Sequence, residues 1–333
     1  MGGVQITIDE ERESEEVRRV TSLFPLGDIL TREESVAFAK MLEALADVFG
    51  VSPGRLQGNW AKRFKHYIEI SKSARPIYMK QRRMAPKEAE FLRKYIQELK
   101  AIDAIENTIS PWNSQVILVP KAGKRDEFRL TVNLKPLNRL IKPKAFPMPN
   151  AVDIFDRMGG AQYFTVLDCA SGFFHIPLDE ESRQYTAFST PEGHFQYKVM
   201  PQGLQSAPAA WQSLMSSMFA DMRAVCAYMD DLIIFSATFE EHLAQVEQVL
   251  MRFKAAGVKL KLAKCMFGTA SVKFLGHIIS REGIAVDPQK INAMVEFPAP
   301  TTPRKLHRFI GMAGYHRRHI PFFAKHASPC MSS

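Results

Sequence analysis

The stretch AYMDDLIIF, residues 227 to 235, sets Asp230 and Asp231 side by side in a run that otherwise favours burial. Neighbouring carboxylates repel one another and lose hydration when buried, so the pair is costly unless something positive sits with it. The flanking AVCAYM and LIIFS read as two short strands, which puts the pair at a hairpin tip, where both side chains can reach one site. A third acid, Asp168, ends the apolar strand YFTVLD (163 to 168). If those strand ends are adjacent, three carboxylates converge. Hard oxygen ligands of this kind suit Mg²⁺ or Mn²⁺, and two ions about 3.5–4 Å apart suit phosphoryl transfer. The chain offers neither a GxSxG nor a P-loop pattern, so no protein nucleophile is called for.

Charge points to the partner. The 333 residues carry a formal net charge of +9, unevenly spread. Between Ala61 and Asn150 twenty Lys and Arg stand against eight Asp and Glu, and between Met251 and Lys325 fourteen stand against three. Two basic regions flanking a nearly neutral, apolar middle suit a polyanion. Cys169, Cys226, Cys265 and Cys330 lie far apart with no CxxC pair, as expected of free thiols in a reducing compartment. His307, His316, His319 and His326 lack partnering cysteines or acids and do not read as a metal site. The acidic opening is no signal peptide, and no apolar run approaches the ~18 residues that span a bilayer. An intracellular chain, cytoplasmic or nuclear, with no membrane partner is expected.

Along the chain, residues 9 to 16 read as a solvated charged tail. TREESVAFAKMLEALADVFG (31 to 50) reads as a helix opened by a Thr31/Glu34 capping box and stopped by Gly50. A second helix starts at Pro86 and runs toward Ile102, with Leu92, Ile96 and Leu99 on one stripe. Strands at 115 to 119 and 128 to 134 flank a Gly-centred basic turn, a hairpin with lysines at its tip. KPKAFPMPN (142 to 150) reads as a subdomain boundary. From 160 to 260 the expected order is strand, helix, strand, strand, helix, the last helix capped by Thr238 and Glu241 and stopped at Gly257. The class is α+β, an antiparallel sheet packed on helices.

Several blocks then carry a resemblance. YMDDLIIFS, LDCASGFFHIPL, YTAFSTPEGHFQYKVMPQGLQSAPAAWQSLM, KCMFGTASVKFLGHIISREGIAVDPQKI and FIGMAGYHRRHIPFFAKHASP resemble, in order and spacing, the reverse transcriptase of Gypsy-type LTR retrotransposons, a retrovirus-like Pol family. SPWNSQVILVPK and FRLTVNLKPLN extend the match upstream, so that it covers roughly residues 62 to 327. Asn133 and Leu134 stand where the family usually has Asp and an aromatic, Gln202 stands where it usually has Phe, and Met229 leans toward the retroviral form.

The resemblance implies a right-hand polymerase copying a primed RNA or DNA template from dNTPs. Residues 1 to 60 would be a spacer with one helix, 61 to 145 fingers, 146 to 285 palm with a fingers insertion near 178 to 203, and 286 to 333 a partial thumb. Asp168, Asp230 and Asp231 would be the catalytic acids and hold two Mg²⁺ or Mn²⁺ ions. Phe173 would close on the sugar's 2′ side, Arg129 with Lys121 or Lys124 would grip the triphosphate, and Gln202 would lie near the sugar. Leu275, Gly276 and His277 would support the primer end, and the basic stretch from Arg304 to Arg318 would track the duplex. The RNase H and integrase domains expected of a parent polyprotein have no counterpart in these residues. Two other readings remain open here: an inert remnant that holds nucleic acid, and an RNA-dependent RNA polymerase, which the Phe173 ring argues against.

Overall fold

The computed structural model describes residues 22–331 apart from 51, 72, 122, 144 and 145. The charged run at 9 to 16 lies outside the described residues, as do the side chains of Lys121 and Lys124. In chain order the longer elements are α1 (Arg32–Ala44), α2 (Pro86–Ala101), β1 (Ile105–Asn107), β2 (Val116–Lys121), β3 (Lys124–Val132), β4 (Tyr163–Asp168), β5 (Phe188–Thr190) and β6 (Gly193–Tyr197). They continue as α3 (Ala207–Met218), β7 (Val225–Tyr228), β8 (Asp231–Ser236), α4 (Phe239–Ala256), β9 (Met266–Thr269), β10 (Ser271–Phe274), β11 (His277–Ser280), β12 (Gly283–Val286), α5 (Pro288–Val295), α6 (Pro303–Tyr315) and α7 (Phe323–Met331).

The central sheet has the order β7-β8-β4-β9, antiparallel throughout. Its middle strand explains the unbroken apolar run of the sequence. Successive residues of β8 point to opposite faces, and both faces are covered: Leu232 and Ile234 enter the main core with α3 and α4, while Ile233 and Phe235 enter a second core. Burying each such side chain is worth about 1.5–3 kcal/mol. Register is therefore pinned, because a slip of one residue would carry an aspartate into a core. The second core also takes Phe164 of β4 and Val272, Phe274 and Ile279 of the β10-β11-β12 sheet, which fixes that sheet to the back of the central one.

The Thr31/Glu34 box forms in full, and of the expected Thr238/Glu241 box the Thr238 Oγ1 accepts from Glu241 N–H. Thr31 Oγ1 accepts from Glu34 N–H while Glu34 accepts from Thr31 N–H, and Gly257 closes α4 at φ 75°. α1 stops earlier than expected. It caps at Leu45, and a 3-10 turn at Ala46–Val48 carries the chain to an extended Phe49, because Phe49 packs its ring edge-on against Phe267 and its backbone bridges Leu260. The basic hairpin is longer than expected, β3 starting at Lys124. Between Asp168 and α3 the structure adds the β5-β6 hairpin, turning on Pro191 and Glu192 and joined by β1 into a separate three-stranded sheet. Among the described residues no helix is long and apolar enough to cross a membrane.

Candidate active site

Asp168, the last residue of β4, and Asp231, the first of β8, are direct cross-strand partners. They share a sheet face, with Cβ atoms about 4.5–5.5 Å apart as such partners are. Tyr228 pairs with Asp231 on the other side, so Met229 and Asp230 form a two-residue turn. Hairpin turns of this length need positive φ, which costs a non-glycine residue roughly 1–3 kcal/mol. Met229 adopts φ 56°, and α3 holds it there. Gln212 Oε1 accepts from Met229 N–H at 2.8 Å, Gln212 Nε2 donates to Ala227 O at 2.9 Å, and the Trp211 indole N–H donates to Met229 O at 2.9 Å. Three part-buried bonds at about 1 kcal/mol each offset the strain.

The carboxylates are electrostatically coupled. Burial, then the neighbouring Asp168 charge, pushes Asp230 and Asp231 above the usual carboxylate range. Asp230 Oδ1 is buried without a hydrogen-bond partner. A Cβ at Gly172 would stand 2.6 Å from that oxygen and 3.0 Å from the Trp211 ring, so only glycine fits beside Asp230. Lys264 Nζ donates to Asp168 Oδ2 at 2.9 Å, and this bond raises the lysine's own pKa. One ammonium thus faces three acids. Among the described residues no group of three or more His, Cys, Asp or Glu stands in a geometry that holds a metal ion as it is, and Asp168 is engaged by Lys264 instead.

Phe173 lies in the 3-10 turn Gly172–His175 that follows β4, half-buried against the main core and next to the glycine that abuts Asp230. Arg129 is exposed on β3, opposite Val119, and among the described residues nothing bonds it to the acids. The backbones of Lys121 and Lys124 pair at the same end of that hairpin. Gln202 is exposed in a turn at Gly203 (φ 89°), whose carbonyl accepts from Asn138 Nδ2 at 2.8 Å and whose Cβ position lies 3.9 Å from Val132 O. The base of the basic hairpin and the Gln202 turn are therefore neighbours.

Leu275 and Gly276 form the turn between β10 and β11, at φ 49° and 77°, with Phe274 paired to His277. Two successive positive φ values define a type I′ turn, and glycine supplies one of them without strain. Leu275 is held by bonds to its carbonyl from Tyr315 Oη at 3.0 Å and His277 Nδ1 at 3.1 Å. The His277 ring also packs on Phe155 and lies 5.6 and 5.7 Å from the rings of His316 and His319. This corner sits between the sheet and the C-terminal helices. The second core, not direct contact, relates it to the acids.

Sequence reasoning missed Lys264, Gly172, Trp211 and Gln212. The clamp lies on the helix expected between the strands, where no local signal shows which turn it holds, and nothing near Lys264 in the chain distinguishes it from the other lysines of its basic region.

Residues 119–279 match the family described as reverse transcriptase (RNA-dependent DNA polymerase). The retrovirus-related Pol polyprotein from transposon 297 of Drosophila melanogaster is 37% identical over 273 residues, 80% of this chain and 26% of that protein. The corresponding polyprotein from transposon gypsy is 33% identical over 248 residues, 72% of this chain and 24% of its own length. Among solved structures, the foamy viral protease-reverse transcriptase in complex with dsDNA superposes with a TM-score of 0.81 at 20% identity, over 96% of this chain and 65% of that one. The fold is that of a right-hand polymerase, and the chain belongs to the reverse transcriptase family. Within that family it is similar to the Pol polyproteins of Gypsy-type retroelements, and it spans about a quarter of the length of those Drosophila relatives.

Proposed function

We propose that this chain is the RNA-directed DNA polymerase unit of an LTR retroelement, extending a primer on an RNA or DNA template with dNTPs. The observation that carries the reading is the pairing of Asp168 with Asp231 beside an Asp230 oxygen that is buried and unpartnered. An orphaned carboxylate oxygen within three coupled acids is a donor set for hard cations, so the residues fit Mg²⁺ or Mn²⁺. Asp168, Asp230 and Asp231 would hold two such ions, which when bound favour deprotonation of the primer 3′-hydroxyl and neutralise the leaving pyrophosphate. Lys264 lends the acids a counter-charge and leaves Asp168 as the site loads.

The remaining residues bind and select. The Phe173 ring excludes a ribose 2′-hydroxyl, which favours deoxynucleotides. Arg129, with Lys121 and Lys124, grips the triphosphate through forked and point-charge contacts, and Gln202 lies by the sugar. The Leu275–His277 turn supports the primer end, and the basic C-terminal helices track the duplex backbone.

Primer extension with Mg²⁺ on RNA and DNA templates, offered dNTPs or rNTPs, tests this. DNA synthesis on RNA that is lost in Asp230→Asn is expected. Salt-sensitive binding of RNA/DNA hybrid without incorporation would leave only an inert nucleic-acid-binding remnant, and preference for rNTPs would make the enzyme an RNA polymerase.

A further inference from the structure

One buried imidazole joins three distant segments. His175 Nε2 lies 3.0 Å from Gly54 N and 2.9 Å from Lys259 N, and both are N–H donors, so Nε2 is the acceptor and the proton sits on Nδ1. Nδ1–H then donates to Gly172 O at 3.0 Å. The ring is fully buried and packs 5.8 Å from the Trp211 ring, the same indole that holds Met229. Each partner leads into the site. Gly172 abuts Asp230, and Phe173 follows it in the turn that His175 ends. The backbone of Lys259 accepts from Ala170 N–H, and Lys261 N–H donates to Asp168 O, on the way to Lys264. Gly54 brings the N-terminal segment, which is laced to the same strip of chain by Gly50 N–H to Leu260 O, Leu260 N–H to Val48 O and Gln57 N–H to Ala256 O.

We propose that the segment carrying Val48, Gly50, Gly54 and Gln57 is a working part of the nucleotide site rather than a spacer, and that His175 is the positioning residue that transmits its hold to Phe173. This rests on the polymerase reading above. Ser171, which begins the turn, adopts φ 53°, so the turn is strained and needs an external tie. His175 supplies that tie as the acceptor for two backbone amides and the donor to the carbonyl before Phe173. Without it, the ring that discriminates sugars is free to shift, and shifts near 1 Å are enough to cost selection.

The test compares kcat/KM for a dNTP and the matching rNTP in primer extension by the whole chain. His175→Ala is expected to lower the deoxy preference by about tenfold or more, chiefly through a lowered KM for the rNTP. His175→Gln, whose amide oxygen can accept from Gly54 and Lys259 but which leaves Gly172 O without a donor, should lose about threefold. His242→Ala removes an equally buried imidazole bonded to Thr165 and Ser236, and should lower stability without moving the ratio. A ratio unchanged in His175→Gln, or one that falls equally in His242→Ala, overturns the proposal while the polymerase reading stands. Amide hydrogen exchange gives a second readout that needs no turnover. Faster exchange at Gly54 and Lys259 in the His175 variants is expected, and unchanged protection overturns the tie even if the wild-type chain proves inactive.

Discussion

Lys264 Nζ rests 2.9 Å from Oδ2 of Asp168, so the charge that two adjacent aspartates demand is supplied in part by a lysine ninety-six positions from Asp168. The lysine side chain is half-exposed, and such a pair contributes little to the fold, about 0–1 kcal/mol. Its consequence is competition. Lys264→Met should leave folding stability within about 1 kcal/mol of wild type and tighten Mn²⁺ binding in the absence of nucleotide, measured by titration calorimetry. Weaker Mn²⁺ binding in the variant would mean that the lysine assists the cation rather than standing in its place.

Glycine at 172 is required by space beside Asp230. Gly172→Ala puts a methyl 2.6 Å from the carboxylate oxygen and 3.0 Å from the Trp211 ring. Overpacking of this kind costs about 1–3 kcal/mol. The variant should fold with a lowered melting temperature and, if Asp230 is the metal-holding acid proposed above, lose about a hundredfold or more in incorporation, since displacements near 1 Å carry costs of that size. Near wild-type turnover would show that Asp230 has room to move without loss.

Gln212 is buried and satisfies both Met229 N–H and Ala227 O. Gln212→Met keeps the volume and leaves both backbone groups unpaired, at about 1–3 kcal/mol for each. A urea midpoint shifted by less than about 1 kcal/mol equivalent would show that the Trp211 bond alone holds the turn.

Burial pushes the imidazoles of His175 and His242 down to about 4. Between that value and about 6.5 the unfolded chain binds protons that the native chain does not, so their stabilisation is full above about pH 6.5 and is lost as pH falls toward 4. Asp230 and Asp231, raised in the native state, act with the opposite sign and recover stability on acidification. The two histidines contribute on the order of 3 kcal/mol each over this range. Urea unfolding should therefore show stability falling from pH 7 to pH 5, with a slope shallower by about one proton in His242→Gln. An identical slope would place the acid sensitivity elsewhere.

Phe173→Ala, read as opening the space beside the sugar, should admit ribonucleotides in the same primer-extension assay while dNTP incorporation persists. A variant that still rejects them would assign discrimination to another side chain.

The sequence alone determined those features whose causes are close along the chain. Thr31 with Glu34, Gly257 after α4 and the doubly buried alternation of Leu232 to Phe235 are written by residues within one or two turns of each other. The acids could be placed at strand ends for the same reason. The helix read through Gly50 and the unread β5-β6 hairpin mark the limit, since Phe49 is drawn into extended backbone by Phe267 and β6 is held by β1, both far away in the chain. Only the tertiary structure decided that Asp168 faces Asp231, that Lys264 answers them, that Trp211 and Gln212 hold Met229, and that His175 ties Gly54 to Lys259. These pairings cross tens to more than a hundred positions. Their selection comes from packing the whole core in one register, and no local periodicity carries that information.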